Sequence, residues 1–378
     1  VLNLGIFQVQ QPALQRMPGL SRSLDIAVVG GGPAGAICAL MLARGGARVG
    51  LVHWGGYAAG GIELVSGHAR HLIERYSPDF FQKASLGVEV HETISLWDTP
   101  EPVTFNAMFN PWGAGIAIER PLFDRALRDV ACMAGVLIID DAKIVGIERS
   151  GDQWHLLMRS AAATVGDEAG SHASASFLVL ATGRVAAQFV DRSPVAEPSK
   201  IALMTFLRTP VSGSVPSPGN TLYVEGMDNG WWYALPVGDG SYFAGFCTDR
   251  DEVKKRPASL KEFFVRELRN TRLLAPLLSA ASGKIQISGR MAGAQVFDRM
   301  SGEGWIAVGD AAYAPDPLSG MGIELAIESA QLGAHALLKA TQGSTQPHAL
   351  MGFAEYEDAI RERVSRQEKT AAYHYGRL

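Results

Sequence analysis

The sequence predicts an α/β fold: a Rossmann-like dinucleotide-binding domain, an interleaved mixed β-sheet domain and a C-terminal helical region. Three observations carry that expectation. The apolar run Asp25-Ile-Ala-Val-Val passes through Gly30-Gly31-Gly32 into Pro33-Ala34-Gly35-Ala-Ile-Cys-Ala-Leu, so that a strand feeds a glycine turn and then a helix. A second buried-type run, Phe177-Leu-Val-Leu-Ala, ends at Thr182-Gly183. A third, Trp305-Ile-Ala-Val, ends at Gly309-Asp310 and continues through a glycine-broken loop into a helix-forming segment.

Taken in order, residues 25–54 read as strand, helix and strand. Gly30 permits the tight turn, Gly32 lets a pyrophosphate approach the backbone, and Gly35 lets the helix pack close to the strand. Pro33 and Ala34 open the helix. The second strand, Ala47-Arg-Val-Gly-Leu-Val, ends at His53-Trp54, where an Asp or Glu ordinarily holds the adenosine ribose. His53 offers one hydrogen bond instead of a bidentate carboxylate, and it reads equally as a strand-end histidine facing solvent. Residues 55–76 read as a glycine turn and a helical segment, and 120–135 as an amphipathic helix. Residues 136–147 and 154–159 read as strands of a small antiparallel unit, with 160–175 as the hairpin loop before the strand that ends at Gly183. Alternation in Thr221-Leu-Tyr-Val-Glu and Tyr242-Phe-Ala-Gly-Phe predicts a larger sheet across 201–246. Residues 260–278, 322–341 and 351–375 read as helices, the last with its charges on one face. The dinucleotide domain is expected at 21–75, 113–200 and 285–342, the second domain at 76–112 and 201–284, and the helical region at 343–378.

The 378 residues exceed what one core usually supports, which agrees with two interleaved layers. A net charge of −4 argues against a nucleic-acid partner. Cys38, Cys132 and Cys247 are too few and too scattered for a disulfide framework or a zinc site, and no metal is expected. No stretch has the length and apolarity of a membrane span, and residues 1–20 lack a signal-peptide pattern. A cytoplasmic protein without a membrane partner is the expectation.

With Glu119-Arg120-Pro-Leu-Phe-Asp124 added to Gly30–Gly35, Thr182-Gly183-Arg184 and Gly309–Gly322, the chain resembles the FAD-dependent aromatic hydroxylase superfamily. That group includes flavin-dependent halogenases and prenyl reductases. The resemblance implies FAD, with His53 and Trp54 at its adenosine end and Arg120 near the flavin side chain. It implies a hydrogen bond from a ribityl hydroxyl to Asp310, an acceptor-only carboxylate suited to a row of donors. It also places Pro317, Gly320, Met321 and Gly322 beside the isoalloxazine ring, where the N-terminus of the next helix favours negative charge on reduced flavin. Asp310 alone would be an ordinary turn residue.

Gly230-Trp231-Trp232-Tyr233-Ala234-Leu235-Pro236 is close to the halogenase signature W-x-W-x-I-P, with Tyr233 and Leu235 as departures. A halogenase also needs a lysine beside its substrate, and between Gly61 and Arg120 the sequence offers only Lys83. A narrower resemblance rests on Gly61-Ile-Glu63-Leu-Val-Ser-Gly-His68-Ala-Arg70, Ile94-Ser-Leu-Trp97 and Phe109-Asn-Pro-Trp112-Gly-Ala-Gly. These segments look like those of halogenase-like flavoproteins that hydroxylate a tryptophan of a precursor polypeptide during tryptophylquinone biogenesis. The implied chemistry is oxygen transfer from a flavin C4a-hydroperoxide to an electron-rich ring, with molecular oxygen as co-substrate. The flavin is reduced by NAD(P)H directly or by a separate reductase partner, and the absence of an Asp before Gly183 argues against the direct route. Glu63, His68 and His91 are the candidate bases, and Trp97, Tyr223, Trp231 and Tyr233 the candidate substrate contacts. The histidines read equally as structural, and the aromatic strand as ordinary packing. A small-molecule hydroxylase, a halogenase, a prenyl reductase and a non-catalytic FAD-binding assembly factor are the alternatives.

Overall fold

The computed structural model describes residues 23–55, 61–160, 171–184, 189–195, 198–208, 220–238, 240–255, 259–281, 283–342 and 346–377. The expected glycine turn at 56–60, most of the expected loop at 160–175 and the first twenty residues lie outside them.

The chain opens with strand β1 (Ser23–Val29), helix α1 (Pro33–Arg44) and strand β2 (Val49–Val52), as the glycine motif requires. A short strand β3 (Ile62–Val65), not expected from sequence, precedes helix α2 (Gly67–Glu74) and the single turn α3 (Phe80–Lys83). Strands β4 (Val88–Val90), β5 (Glu92–Leu96), β6 (Val103–Asn106) and β7 (Gly115–Glu119) lead to helix α4 (Arg120–Met133). The small antiparallel unit is present as β9 (Ala142–Ser150), β10 (Gln153–Ser160) and β11 (Ser171–Leu180), with β9–β10 and β10–β11 pairing antiparallel, whereas β8 (Leu137–Ile139), expected in that unit, instead pairs in parallel with β2. Residues 171–175, expected in a loop, belong to β11.

The larger sheet gains β12 (Lys200–Leu207), β13 (Thr221–Met227), β14 (Gly230–Pro236) and β15 (Tyr242–Asp249). After the short α5 (Arg250–Lys254), the helix expected over 260–278 is two, α6 (Leu260–Arg269) and α7 (Ala275–Ala280). Pro276 has no N–H to continue a helix and sits in the first turn of α7, where that loss is harmless. The buried Glu225 carboxylate accepts the Arg272 and Leu273 N–H groups at 2.6 and 2.8 Å, satisfying the break. Strands β16 (Ser288–Met291), β17 (Gln295–Val296), β18 (Ser301–Gly302), β19 (Trp305–Ala307) and β20 (Tyr313–Ala314) precede helices α8 (Gly322–Gln342) and α9 (Gln346–Tyr375).

β1 lies between β2 and β11, parallel to both, in an eight-stranded sheet that β19 extends in parallel register. This arrangement brings the three glycine turns, after β1, β11 and β19, to one end. The seven-stranded sheet runs β16-β12-β15-β14-β13-β5-β6, and β3-β7-β4 form a third sheet. Membership by sheet therefore places 288–291 with the larger sheet and 88–90 with β3 and β7.

Candidate FAD and substrate site

The glycine turn after β1 has no room for side chains. Gly30 sits at φ +115°, and a Cβ there would lie 2.1 Å from the Ala181 carbonyl oxygen. A Cβ on Gly35 would lie 1.9 Å from the Gly30 carbonyl oxygen, so helix and strand touch backbone to backbone. Gly32 caps α1 without a side-chain hydrogen bond, leaving the first-turn N–H groups of the helix turned to the turn. Gly183, at φ +64°, and Thr182 flank the same point, the Thr182 nitrogen lying 3.1 Å from a Cβ on Gly30. Gly309, at φ +64°, donates its N–H to Ser329 Oγ at 2.8 Å and backs onto Ala34. A helix N-terminus free of side-chain caps within a glycine cradle, with Asp310 beyond it, fits a dinucleotide pyrophosphate and its ribityl neighbour.

At the end of β2 His53 is buried against Gly31, whose carbonyl accepts a hydrogen bond from Arg128 Nη1 at 3.0 Å. Burial, then the Arg128 charge, hold the His53 pKa below the ordinary histidine value. His53 thus occupies the strand end where a carboxylate is usual, and faces the turn instead of solvent. Trp54 is 52% exposed, with Lys143 Nζ 5.4 Å from its ring centre. Arg128 was not singled out from sequence, because only the fold carries the third turn of α4 to the cradle.

Glu63 and Arg120 meet through Nη1, which donates to both carboxylate oxygens at 2.9 Å, while Nε and Nη2 of Arg120 engage the fully buried Asp124 at 3.1 Å. As a candidate base Glu63 is thereby committed to an arginine. Asp310 lies 3.4 Å from Arg184 Nε; burial raises its pKa and Arg184 opposes the rise. Arg184, quoted in the strand-end motif without a role, is held by the Pro315 carbonyl at 3.0 Å.

The segment after Asp310 is shaped by its own side chains. Asp316 Oδ1 accepts the Leu318 N–H at 3.0 Å, Ser319 Oγ accepts the Met321 N–H at 3.2 Å, and Gly320 turns at φ +60°. Pro317 starts that turn and Gly322 opens α8. Glu324, in the first turn of α8, receives Ser66 Oγ at 2.5 Å and pairs with His68 Nδ1 at 2.9 Å. His68, Glu324 and Glu328 bring one ligand atom each within 4.8 Å of one another, yet Glu328 also pairs with Arg363 at 3.1 Å. His91 is exposed, 3.6 Å from Glu89, and the structure does not bring it to the other candidates.

Strand alternation sorts the aromatic candidates. Trp231 and Tyr233 share a cluster with Ile62, Phe243 and Leu318, on the face turned to the β3 sheet and the 316–322 segment. Trp232 points the other way, stacked on Phe246 at 4.6 Å and edge-on to Phe264 of α6 at 4.8 Å. Tyr223 is corrected by the same rule: it pairs across from Ala234, packs on Tyr242 at 5.7 Å and belongs to the α6 side. Trp97 lies on the Trp231 side, their rings 6.4 Å apart. It lines a cleft of about 320 Å³ with Val103, Phe105, Val224 and Leu318, and Val103 and Phe105 on the edge strand β6 are exposed. Lys83 is turned outward, donating to the Pro78 carbonyl. Lys200, outside the window searched in sequence, lies with its Nζ 4.3 Å from the Tyr375 ring centre and 3.1 Å from Asp249.

No family model matches the chain. It is 26% identical over 326 residues to LodB of Marinomonas mediterranea, which is assigned as an FAD-dependent oxidoreductase, covering 84% of this chain and 85% of LodB. It is 27% identical over 332 residues to a tryptophan 2-halogenase of Chondromyces crocatus, covering 83% of this chain but 61% of the halogenase. Among solved structures, the flavin-dependent halogenase CmlS matches at TM-score 0.78 and 22% identity, over 94% of this chain and 65% of CmlS. The peptidyl tryptophan dihydroxylase QhpG, essential for tryptophylquinone cofactor biogenesis, matches at TM-score 0.74 and 24% identity, over 94% of this chain and 76% of QhpG. Among the described residues no helix is long and apolar enough to cross a membrane.

Proposed function

We propose, from the resemblance of the chain to FAD-dependent aromatic hydroxylase-like flavoproteins, that it is a monooxygenase that hydroxylates an electron-rich ring, a tryptophan side chain of a precursor polypeptide in tryptophylquinone maturation. The observation that carries this reading is the cleft beside the 316–322 segment. It is walled by Trp97, Val224 and Leu318 and open along β6, where an extended chain has access from the side. The likeness to QhpG supports the same substrate class.

In this reading the first-turn N–H groups of α1, from Ala34 and Gly35, would hold the pyrophosphate, Pro33 having no N–H to give, and His53 would hold the adenosine ribose. Asp310 would accept from the ribityl chain, and Arg184 opposes the rise in its pKa that burial causes. Glu63 and Asp124 fix the Arg120 guanidinium from two sides, which would present it to the cofactor in one orientation. Thr182 and Gly183 close the cradle, and Pro317 to Gly322 present backbone to the ring. Reduced FAD with oxygen supplies the electrophilic oxygen, and the protein supplies position and exclusion of water. Trp231 and Tyr233 wall the ring-facing side. His68, held by Glu324 in the first turn of α8, is the residue proposed to take the ring proton.

One observation favours a second reading: Lys200, with its Nζ over the ring of Tyr375, whose hydroxyl accepts from Trp231, provides the lysine that a halogenase would need. The test offers the purified protein reduced FAD, ¹⁸O₂ and bromide with a tryptophan-containing precursor polypeptide and, separately, free indoles. Labelled oxygen on the polypeptide supports the proposal. Bromine on any ring moves the protein to the halogenases, and label on free indole alone moves it to the small-molecule hydroxylases.

A further inference from the structure

Helix α9 is anchored along only part of its length. Phe353, Tyr356, Ile360 and Val364 are buried in the core beneath it, and Glu357 accepts the Met300 and Ser301 N–H groups at 2.9 and 2.7 Å. Beyond Val364 no residue from 365 to 377 is buried. Three turns of helix therefore continue past the last fully buried anchor, and their end is held by polar contacts and by the half-buried Tyr375 ring against the Trp231 cluster.

Those polar contacts all fall on the cleft. Tyr375 Oη donates to Asp316 Oδ1 at 2.8 Å, on the segment that turns at Pro317, and accepts from Trp231 Nε1 at 3.2 Å, on the ring-facing side of the sheet. The His374 carbonyl accepts from Trp97 Nε1 at 3.1 Å, and Arg377 pairs with Asp98. Two grooves flank this crossing. One, of about 480 Å³, runs between the 316–325 segment and α9; the other is the cleft of about 320 Å³ at Trp97. Leu318 and His374 line both, so the end of α9 is the partition between them.

We infer that residues 365–377 form a hinged strap which lifts at Val364 to join the two grooves, and that this opening decides whether a ring carried on a polypeptide reaches Trp231. The inference rests on the polypeptide reading above for its substrate, and on the helix alone for its motion. Opening breaks a few half-buried and exposed polar contacts and uncovers the Tyr375 ring, so the segment is held less firmly than 353–364, whose Phe353, Tyr356, Ile360 and Val364 are buried in the core. A free aromatic compound is small enough for one groove, whereas a chain on both sides of a tryptophan needs both. Closure over a bound ring restores the Tyr375 bridge and keeps water from the oxygen-transfer step.

Amide hydrogen exchange on the FAD-loaded protein, with Tyr375→Phe and Arg377→Ala variants, tests the motion without turnover. Amides of 365–377 are expected to exchange about a hundredfold faster than those of 353–364, and about tenfold faster again in either variant. The access claim is read from KM with two probes, a synthetic peptide holding one tryptophan among glycines and serines, and free indole. Loosening the strap lowers KM for the peptide about threefold or more, leaves KM for indole in place, and raises peroxide released per turnover. Exchange of 365–377 in step with 353–364 overturns the strap. Peptide and indole KM values that move together overturn its role in access. Label on indole and never on peptide, with rapid exchange intact, removes the polypeptide reading and leaves the strap supported.

Discussion

Gly309 backs directly onto Ala34: a Cβ built on Gly309 would lie 2.6 Å from the Ala34 Cβ, far inside contact distance. The two residues come from motifs at opposite ends of the chain, and their contact locks the turn after β19 against the first turn of α1. Gly309 also sits at φ +64°, so any side chain there meets both strain and overlap. Gly309→Val is expected to cost about 1–3 kcal/mol from backbone conformation alone and to displace Asp310 from the cradle. Flavin absorbance per protein should fall at least tenfold while far-ultraviolet circular dichroism is kept; full flavin content would refute the paired-motif reading.

Asp310→Ala removes the acceptor-only carboxylate and leaves Arg184 without its partner at 3.4 Å. A lost hydrogen bond to a charged group is worth about 1.5–3 kcal/mol, which corresponds to a ten- to hundredfold weaker FAD complex. Isothermal titration of the apoprotein with FAD measures it. Asp310→Asn, which retains one acceptor oxygen, should lie between the alanine variant and the parent.

The contact between these motifs also marks what can be read from sequence. Glycine spacing, the apolar strands before it and the helix after it are local, so β1–α1–β2, the end of β11 from Phe177 and the turn at Gly309 are legible in the sequence, whereas residues 171–175 of β11 are not. Which face of a strand a residue occupies is legible only once the register is known, and the sequence therefore does not separate Tyr223, on the α6 side, from Trp231 and Tyr233. Pairings such as Ser66 with Glu324, Trp231 with Tyr375 and Glu225 with the 272–273 backbone join segments far apart in the chain. Nothing in the local pattern around either partner announces them.

Trp231 and Trp232 should separate function from stability. Trp232 is fully buried between Phe246 and Phe264, and its Nε1 has no hydrogen-bond partner among the described residues. Trp232→Ala is expected to lose about 3–5 kcal/mol through the cavity it leaves. Trp231→Phe keeps most of its packing and gives up one hydrogen bond to Tyr375, about 1 kcal/mol. Urea denaturation should show the first loss clearly and the second barely, and turnover should fall only in the Trp231 variant. Equal loss of stability in both would mean that the two rings share a face.

His53 predicts a pH dependence with a definite sign. Its folded pKa is lowered by burial and by Arg128, so the folded state resists the proton that the unfolded state accepts. The contribution to stability is complete above the ordinary histidine value near 6.5, where both states are neutral. It is lost as pH falls from there to the lower folded value, and below that it changes no further. One proton sets the steepest slope at about 1.4 kcal/mol per pH unit. His53→Gln keeps a hydrogen-bonding side chain at the strand end and removes the titration, so its unfolding free energy between pH 7 and 5 should run flatter than that of the parent. FAD affinity should follow the same pattern, since a charged imidazolium beside Arg128 cannot stay buried against the turn that holds the cofactor. Parallel stability curves for the two proteins across that range would show that His53 is not the group that couples acid to the adenosine end.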